Sequence, residues 1–307
     1  MSEINYKEYG LGCFRDAYDV RDYVFTPSCA TTSYPTGFKL EEVPIKNQNT
    51  IGSCVAHACA TIKEIQEFYE TGIKKQFSVG WIYGYRLSGQ YKGEGMYPKE
   101  ALTTLKNNGN VLKEDFPENF EYNDIQNLIT ARKTDCLSKA KQYKIKSYAR
   151  VANSSAVKAA IYNYKSPVMI VVDIYDSFYN TNNSGIVPTK SGSLQGGHAM
   201  VIVGWTKIKN TEYYVVQNSW GPEWGDCGYC YIAPTNNIIT DMYTSIDDDN
   251  LLLKFSDVSN GKHWAERYIN KCVKAGLING YSDGTFKPNN TITRAEICTM
   301  FAKLLDK

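Results

Sequence analysis

The chain has 307 residues, 43% of them hydrophobic, with 34 basic and 32 acidic side chains and a net charge of +2. That length supports a large core, either one big domain with a small one or two of medium size. The balanced charge gives no clustered basic footprint for a nucleic-acid partner, and no run approaches the ~18 consecutive apolar residues of a membrane span.

Residues 1 to about 47 read as irregular, because Pro27, Pro35 and Pro44 interrupt any long element. Met1 to Gly10 is polar and holds no signal-peptide core. A leader removed beforehand, another export route and an intracellular protein all remain open. From Ser53 to about Glu70 the pattern turns helical: Val55, Ala58, Cys59, Ile62, Ile65, Phe68 and Tyr69 recur at three- and four-residue steps, and Thr71-Gly72 closes the helix. Weaker helices are expected over Ala101 to Asn108 and Val157 to Tyr164. After Pro167 the period changes. Val168–Tyr175, His198–Trp205, Tyr213–Gln217 and Tyr229–Ala233 read as strands. Helices precede strands, so the expected class is α+β, with a cleft between a helical half and a sheet half as the natural substrate site.

Asp247-Asp248-Asp249-Asn250 reads as a linker. Beyond it, residues 254–305 form a helix–loop–helix unit of about 50 residues, near the lower limit for independent folding. Trp264, Tyr268, Ile269, Cys272 and Val273 fall on one face of its first helix, and Gly276 ends it. Thr293 and Glu296 have capping-box spacing ahead of an apolar stripe of Ile297, Met300, Phe301, Leu304 and Leu305.

Nine cysteines leave at least one thiol unpaired, and an unpaired thiol can act as a nucleophile. Their spacing does not suggest a disulfide framework. Cys227 and Cys230 have CxxC spacing but no companion pair, so no metal is expected and both read as core or semi-buried thiols. No cofactor is expected either.

Nucleophilic chemistry on a thiol needs a base, a group orienting that base, and donors for the oxyanion. Cys54 opens a helix after Gly52-Ser53, where exposed amides and the dipole favour a thiolate. A buried structural cysteine fits that position equally well. The chain holds three histidines, His57, His198 and His263. His57 shares the helix of Cys54 and is poorly placed to face it across a cleft, so it reads as a packed, satisfied histidine. His263 reads as helix surface in the C-terminal unit. His198, on a distant strand after Gly196-Gly197, can approach from the opposite wall. Asn218 ends a strand before Ser219-Trp220-Gly221; its amide can fix the imidazole tautomer, with Trp220 shielding that bond. Gln48, six residues before Cys54, can donate to an oxyanion.

Taken together, Gln48, Gly52-Ser53-Cys54 with Ala56, Gly197-His198-Ala199 and Asn218-Ser219-Trp220-Gly221 resemble the four signatures of papain-like cysteine peptidases, in that family's order. His198 lies 144 residues after Cys54, inside the spacing expected of the family. Gly95-Met96-Tyr97-Pro98 resembles the glycine-rich wall of its cleft. The resemblance spans residues 10 to 235. It implies a two-lobed fold, a helical lobe and an antiparallel, barrel-like sheet lobe, with Cys54, His198, Asn218 and Gln48 as the catalytic set. It also implies substrate contacts at Gly95, Met96, Gly197 and Trp220. Ile51, Val55, His57 and Met96 depart from the family pattern, and Arg15, Asp16, Asp19, Arg21 and Asp22 resemble the charged opening of bacterial members. Residues 1 to 47 are too short for the family's usual inhibitory prodomain but long enough to lie across the cleft.

Phe255-Ser256-Asp257-Val258, Trp264-Ala265, Gly276-Leu277-Ile278, Gly280-Tyr281, Asp283-Gly284, Phe286, Pro288 and Thr293-Arg294-Ala295-Glu296 resemble one complete surface-layer homology module. The resemblance implies binding of an anionic wall polysaccharide, with Arg294 on a carboxylate and Trp264 and Gly280 at the groove. The family usually combines three modules, so a trimer is one way for a single copy to work.

The expected organisation is an N-terminal extension over 1–47, a peptidase domain over 48–246, a linker over 247–253 and the module over 254–307. The function read from it is a cysteine endopeptidase acting on protein or peptide substrates at a bacterial cell surface. Two alternatives stand beside it: a non-catalytic wall-binding protein on a peptidase scaffold, and amide hydrolysis or transfer on peptidoglycan stem peptides. The complete set of Gln48, Cys54, His198 and Asn218 argues against the first.

Overall fold

A computed structural model describes residues 5–27, 33–86, 94–116, 118, 122–181, 183–246, 255–258, 263–274, 277–281 and 283–305. The expected linker over 247–250, the stop at Gly276 and Cys29 lie outside them.

The first lobe is helical. Helix α1 (Cys54–Thr71) begins within a residue of the expected start and is capped by Gly72 in the left-handed conformation. Its apolar stripe is buried from Val55 to Ile65 and half-buried at Phe68 and Tyr69, and much of its polar face, from Thr61 to Glu67, is buried too. Those buried charges are paired: Lys46 holds Glu64 at 2.5 Å, and Lys75 holds Glu67 at 2.7 Å. Helices α2 (Val79–Gly84), α3 (Pro98–Asn107) and α4 (Tyr122–Ala140) complete the lobe. Neither α2 nor α4 was expected. Helix α2 is built from β-branched, aromatic and glycine residues of modest helix propensity. It holds because Ser78 caps it and Gly84 lets Ile125 and Ile129 of α4 come close.

Helix α5 (Ser154–Tyr164), which starts three residues earlier than read, leads into the second lobe. That lobe is an antiparallel sheet in the order β2-β7-β3-β4-β5-β6, with β1 (Phe38–Lys39) pairing on β4. Strand β3 (Val168–Tyr175) has the bounds expected. Strand β4 (Leu194–Ile208) is longer, β5 (Thr211–Gln217) and β6 (Tyr229–Ile232) shift by a residue or two, and β2 (Ser147–Arg150) and β7 (Ile239–Ile246) are additional. Helix α1 packs against β4, which brings the helix that opens at Cys54 up to the strand that carries His198.

The C-terminal unit contains α6 (Glu266–Lys274) and α7 (Arg294–Leu305). The capping box forms as read: the Thr293 amide donates to Glu296 at 2.8 Å, and the Glu296 amide donates to the Thr293 hydroxyl at 3.2 Å. Only Phe255, Val258 and Ile269 form its buried core among the described residues. Trp264 precedes α6 instead of lying on it and is 84% exposed, and Tyr268 is also exposed. The stripe on α7 stays largely uncovered, with Ile297, Phe301, Leu304 and Leu305 exposed. His263 sits in the turn before α6, not on a helix surface, and its ring nitrogens meet Asn289 Oδ1 and the Ala265 amide.

Candidate active site

Cys54 is the first residue of α1 and is fully buried. The backbone around its sulphur, at Ala199, Gly12, Val55 and Cys54 itself, favours the thiolate. Those contacts pull the thiol pKa down, but burial is the larger influence and the net shift is upward. His198 lies in β4, two strands' width from the sheet edge formed by β6, and is fully buried. Its Nε2 lies 2.8 Å from Asn218 Oδ1. An amide oxygen only accepts, so Nε2 carries the proton and Nδ1 is the free base. That Nδ1 has no hydrogen-bond partner among the described residues. Burial pushes the imidazole down to about 4, against the upward pull of the Asn218 bond. Asn218 follows β5, and the Trp220 ring covers the pair with its centroid 5.0 Å from that of His198.

Gln48 is fully buried and doubly oriented. The Ser219 hydroxyl donates to its Oε1 at 2.6 Å, and its Nε2 donates to the carbonyls of Gly10 and Ile51, both at 2.8 Å. Gln48, Cys54, His198 and Asn218 therefore converge where α1 meets the sheet. His57 does not join them. It is buried on its own helix with Nδ1 at 3.0 Å from the Ser53 carbonyl and 3.2 Å from its hydroxyl, and burial pushes it down to about 3. The packed, satisfied reading of His57 holds.

The cleft contains the chain's own N-terminal segment. Cys13 donates its amide to the Gly197 carbonyl at 3.1 Å. Across the cleft, Phe14 donates to the Met96 carbonyl at 3.0 Å and Met96 donates to the Gly12 carbonyl at 2.8 Å, a parallel bridge between Cys13 and Met96. Glycine permits this approach. A Cβ at Gly12 would stand 1.9 Å from the Gly52 carbonyl oxygen, and one at Gly197 would stand 2.1 Å from that of Cys13. Met96 acts through its backbone, since its side chain is buried, and Gly95 has φ +114° with the Phe14 ring over it. The charged opening fastens the segment. Arg15 pairs with Asp173, Asp16 accepts from Tyr243 and the Lys99 amide, and Asp22 bridges Lys99 and Arg150. The sequence allowed residues 1–47 to lie across the cleft but did not single out residues 10–16; the pattern Gly10-Leu11-Gly12, two glycines ahead of a charged run, was the available signal.

With this geometry established, comparison with known proteins becomes specific. Residues 38–247 match the papain family of cysteine proteases. The chain belongs to the papain family. An S-layer homology domain follows at residues 254–298. Among relatives, a cysteine protease of Blomia tropicalis is 26% identical over 206 residues, 63% of this chain and 58% of that one. A gut-specific cysteine proteinase of Caenorhabditis elegans is 28% identical over 205 residues, 60% of this chain and 62% of that one. The chain thus spans less than two thirds of the length of these curated relatives. Xylellain, a cysteine protease from Xylella fastidiosa, matches in structure with a TM-score of 0.67 at 22% identity, covering 81% of this chain and 100% of that one. At that identity the likeness establishes the fold, which is papain-like with a helical and a sheet lobe.

Two other expectations meet the structure here. Cys227 is exposed in a turn at φ 50° while Cys230 is buried in β6, so the pair is split between surface and core. The reading of Cys227 as a core or semi-buried thiol is corrected: it sits in the turn ahead of β6, which starts at Tyr229, and is exposed. In the C-terminal module a groove between residues 277–281 and α7 takes in Gly280, whereas Arg294 and Trp264 lie outside its lining. The structure does not gather those three residues into one site.

Proposed function

We propose that the chain is a cysteine endopeptidase held at a cell surface by its S-layer homology domain. The observation that carries this reading is that four side chains from four segments meet where α1 packs on β4: Cys54 at a helix N-terminus, His198 on β4 with Nε2 tied to Asn218 beyond β5, and Gln48 with its amide already on a peptide carbonyl. In this reaction His198 Nδ1 takes the Cys54 proton and the sulphur attacks a substrate carbonyl carbon. Gln48 Nε2 and the Cys54 amide hold the oxyanion that forms. As the tetrahedral adduct collapses, the carbon–nitrogen bond breaks and the imidazolium gives its proton to the leaving amine. Water, deprotonated by the same imidazole, then cleaves the thioester and restores the thiol.

Residues 10–16 keep the centre in a closed, dry state. The Gly10 carbonyl occupies the Gln48 donor, and burial disfavours both the thiolate and the imidazolium. Substrate enters only when this segment leaves, and water that enters with it relaxes both penalties.

Two measurements test the reading. Cys54→Ala removes the nucleophile without disturbing the packing of α1, so peptide hydrolysis falls to background while the thermal midpoint stays within a few degrees. Full hydrolysis by that variant would remove Cys54 from the mechanism. For the anchor, retention of the chain on purified bacterial cell walls is expected to weaken in Arg294→Ala; equal retention takes Arg294 out of the binding site.

A further inference from the structure

The floor of the cleft carries a carboxylate that the reaction does not use. Asp173 of β3 lies directly across from Gly197 of β4, and Val171 lies across from both Ala199 and Asp241. Opposed residues of neighbouring strands point to the same face of a sheet. Asp173, Asp241 and the residues flanking His198 therefore share one face. It is the face on which residues 12–15 lie, because the Cys13 carbonyl sits where a Gly197 side chain would be.

The two acids are compensated differently. Asp241 has a partner in the body of the domain: Arg150 of β2 holds it at 2.5 Å. Asp173 is paired with Arg15, which belongs to the segment that must leave, and Arg15 is its only ion-pair partner among the described residues. The Arg15 guanidinium is also within electrostatic reach of Asp241 and Tyr175. Lys190 is 5.2 Å from the Tyr175 ring centre, and among the described residues no ion pair joins it to Asp173. Once residues 10–16 vacate the cleft, Asp173 is left as an unpaired carboxylate beside the residue that precedes His198. A planar guanidinium or an ammonium group restores the lost charge-assisted bond, and an acidic or neutral side chain does not.

We infer that Asp173 is a specificity-determining residue, which receives a basic side chain of the peptide substrate where Arg15 lies in the closed chain. This rests on the peptidase reading above and adds to it a substrate class: peptides with arginine or lysine within a few residues of the scissile bond.

The test uses the full chain and paired peptides that differ only in arginine against citrulline, its neutral isostere, scanned through each position around the cleaved bond. Wild type is expected to favour arginine at one position by about ten-fold in kcat/KM, and Asp173→Asn to bring that ratio near one. The ratio is internal to each protein, so any change in how readily residues 10–16 leave cancels. Arg15→Gln separates fastening from selection: it frees the segment but keeps Asp173, so its arginine preference matches wild type. A wild-type ratio near one at every position, or a ratio unchanged in Asp173→Asn, overturns the inference. Binding of the same peptides to the Cys54→Ala chain, read by fluorescence anisotropy, stands apart from catalysis. If wild type hydrolyses nothing, the peptidase reading fails while arginine-selective binding still supports the subsite. Equal binding of both peptides overturns it.

Discussion

The proposed catalytic centre and the C-terminal module each group a few polar side chains, but they hold them with unequal amounts of structure. Cys54, Gln48, His198 and Asn218 are all buried, on elements that share one continuous core. Trp264 and Arg294 stand on a module whose core among the described residues comes down to Phe255, Val258 and Ile269, and one face of α7 is open to solvent. A buried polar group must be paired, so its position is over-determined by its neighbours. An exposed one is positioned by its own helix and little else. The difference predicts that substitutions in the centre change chemistry or folding sharply, while those in the module change binding with little effect on stability.

The largest expected effect separates the two buried histidines. His198→Ala removes the base and is expected to cost about 10²–10⁴-fold in kcat. His57→Gln is expected to leave kcat within a few-fold and to cost about 1–3 kcal/mol of stability through its lost bonds to Ser53. Comparable loss of turnover in both variants would break the assignment of roles.

Acid comes next. His57 and His198 are held down to about 3 and about 4 by burial, so unfolding raises their proton affinity. Their contribution to stability is complete above about pH 6.5, the unfolded imidazole value, and is lost progressively as the pH falls toward 4. Asp16 and Glu64, raised by burial, act in the opposite sense, so the readable quantity is a difference between proteins. The drop in thermal midpoint from pH 7 to pH 4.5 is expected to be smaller in His57→Gln than in wild type. The module's depressed carboxylates lose support in the same direction as the histidines but in a lower window: Glu296 is held down by Thr293, and Asp283 is pulled down to about 2 by Thr285 and Lys287. Their support is complete above about pH 4 and is lost only as the pH falls further. Acid unfolding followed by circular dichroism is therefore expected to lose the peptidase domain before the module. Loss in the reverse order contradicts the account.

The smallest effects lie in the module. Thr293→Ala removes a helix cap and is expected to cost about 1 kcal/mol, whereas Arg294→Ala, exposed at the next position, is expected to leave the thermal midpoint unchanged while weakening wall retention. A destabilising Arg294→Ala would mean that the module hides more structure around that residue than its open helix suggests.

The same contrast governs what could be read from sequence. Helix α1, strand β3 and the capping box were legible because each follows from spacing within a short window. That Cys54, Gln48, His198 and Asn218 lie together was legible because their neighbours are distinctive and their order is fixed. Helix α2 was not, since Trp81 and Tyr83 favour a helix there only through packing that lies outside the window. Residues 10–16 carry no period, and where an irregular segment docks is decided by partners such as Gly197 and Met96, far away in sequence. Asp173 interrupts an apolar run and reads only as part of a strand until the register with Gly197 is known. Trp264 was placed on a helix face by counting, but α6 begins two residues later.

Cys54 is proposed here as a nucleophile closed off by the chain's own residues 10–16. The most direct measurement of this is labelling with a thiol-directed epoxide, mapped by peptide mass and timed in wild type and in Gly12→Val, where the added side chain collides with the Gly52 carbonyl. The account predicts modification centred on Cys54, faster by roughly ten-fold in Gly12→Val, as expected when one or two net hydrogen bonds holding the segment are lost. Labelling that favours exposed Cys227 or Cys298 over Cys54 in both proteins, or an equal Cys54 rate in the two, contradicts it.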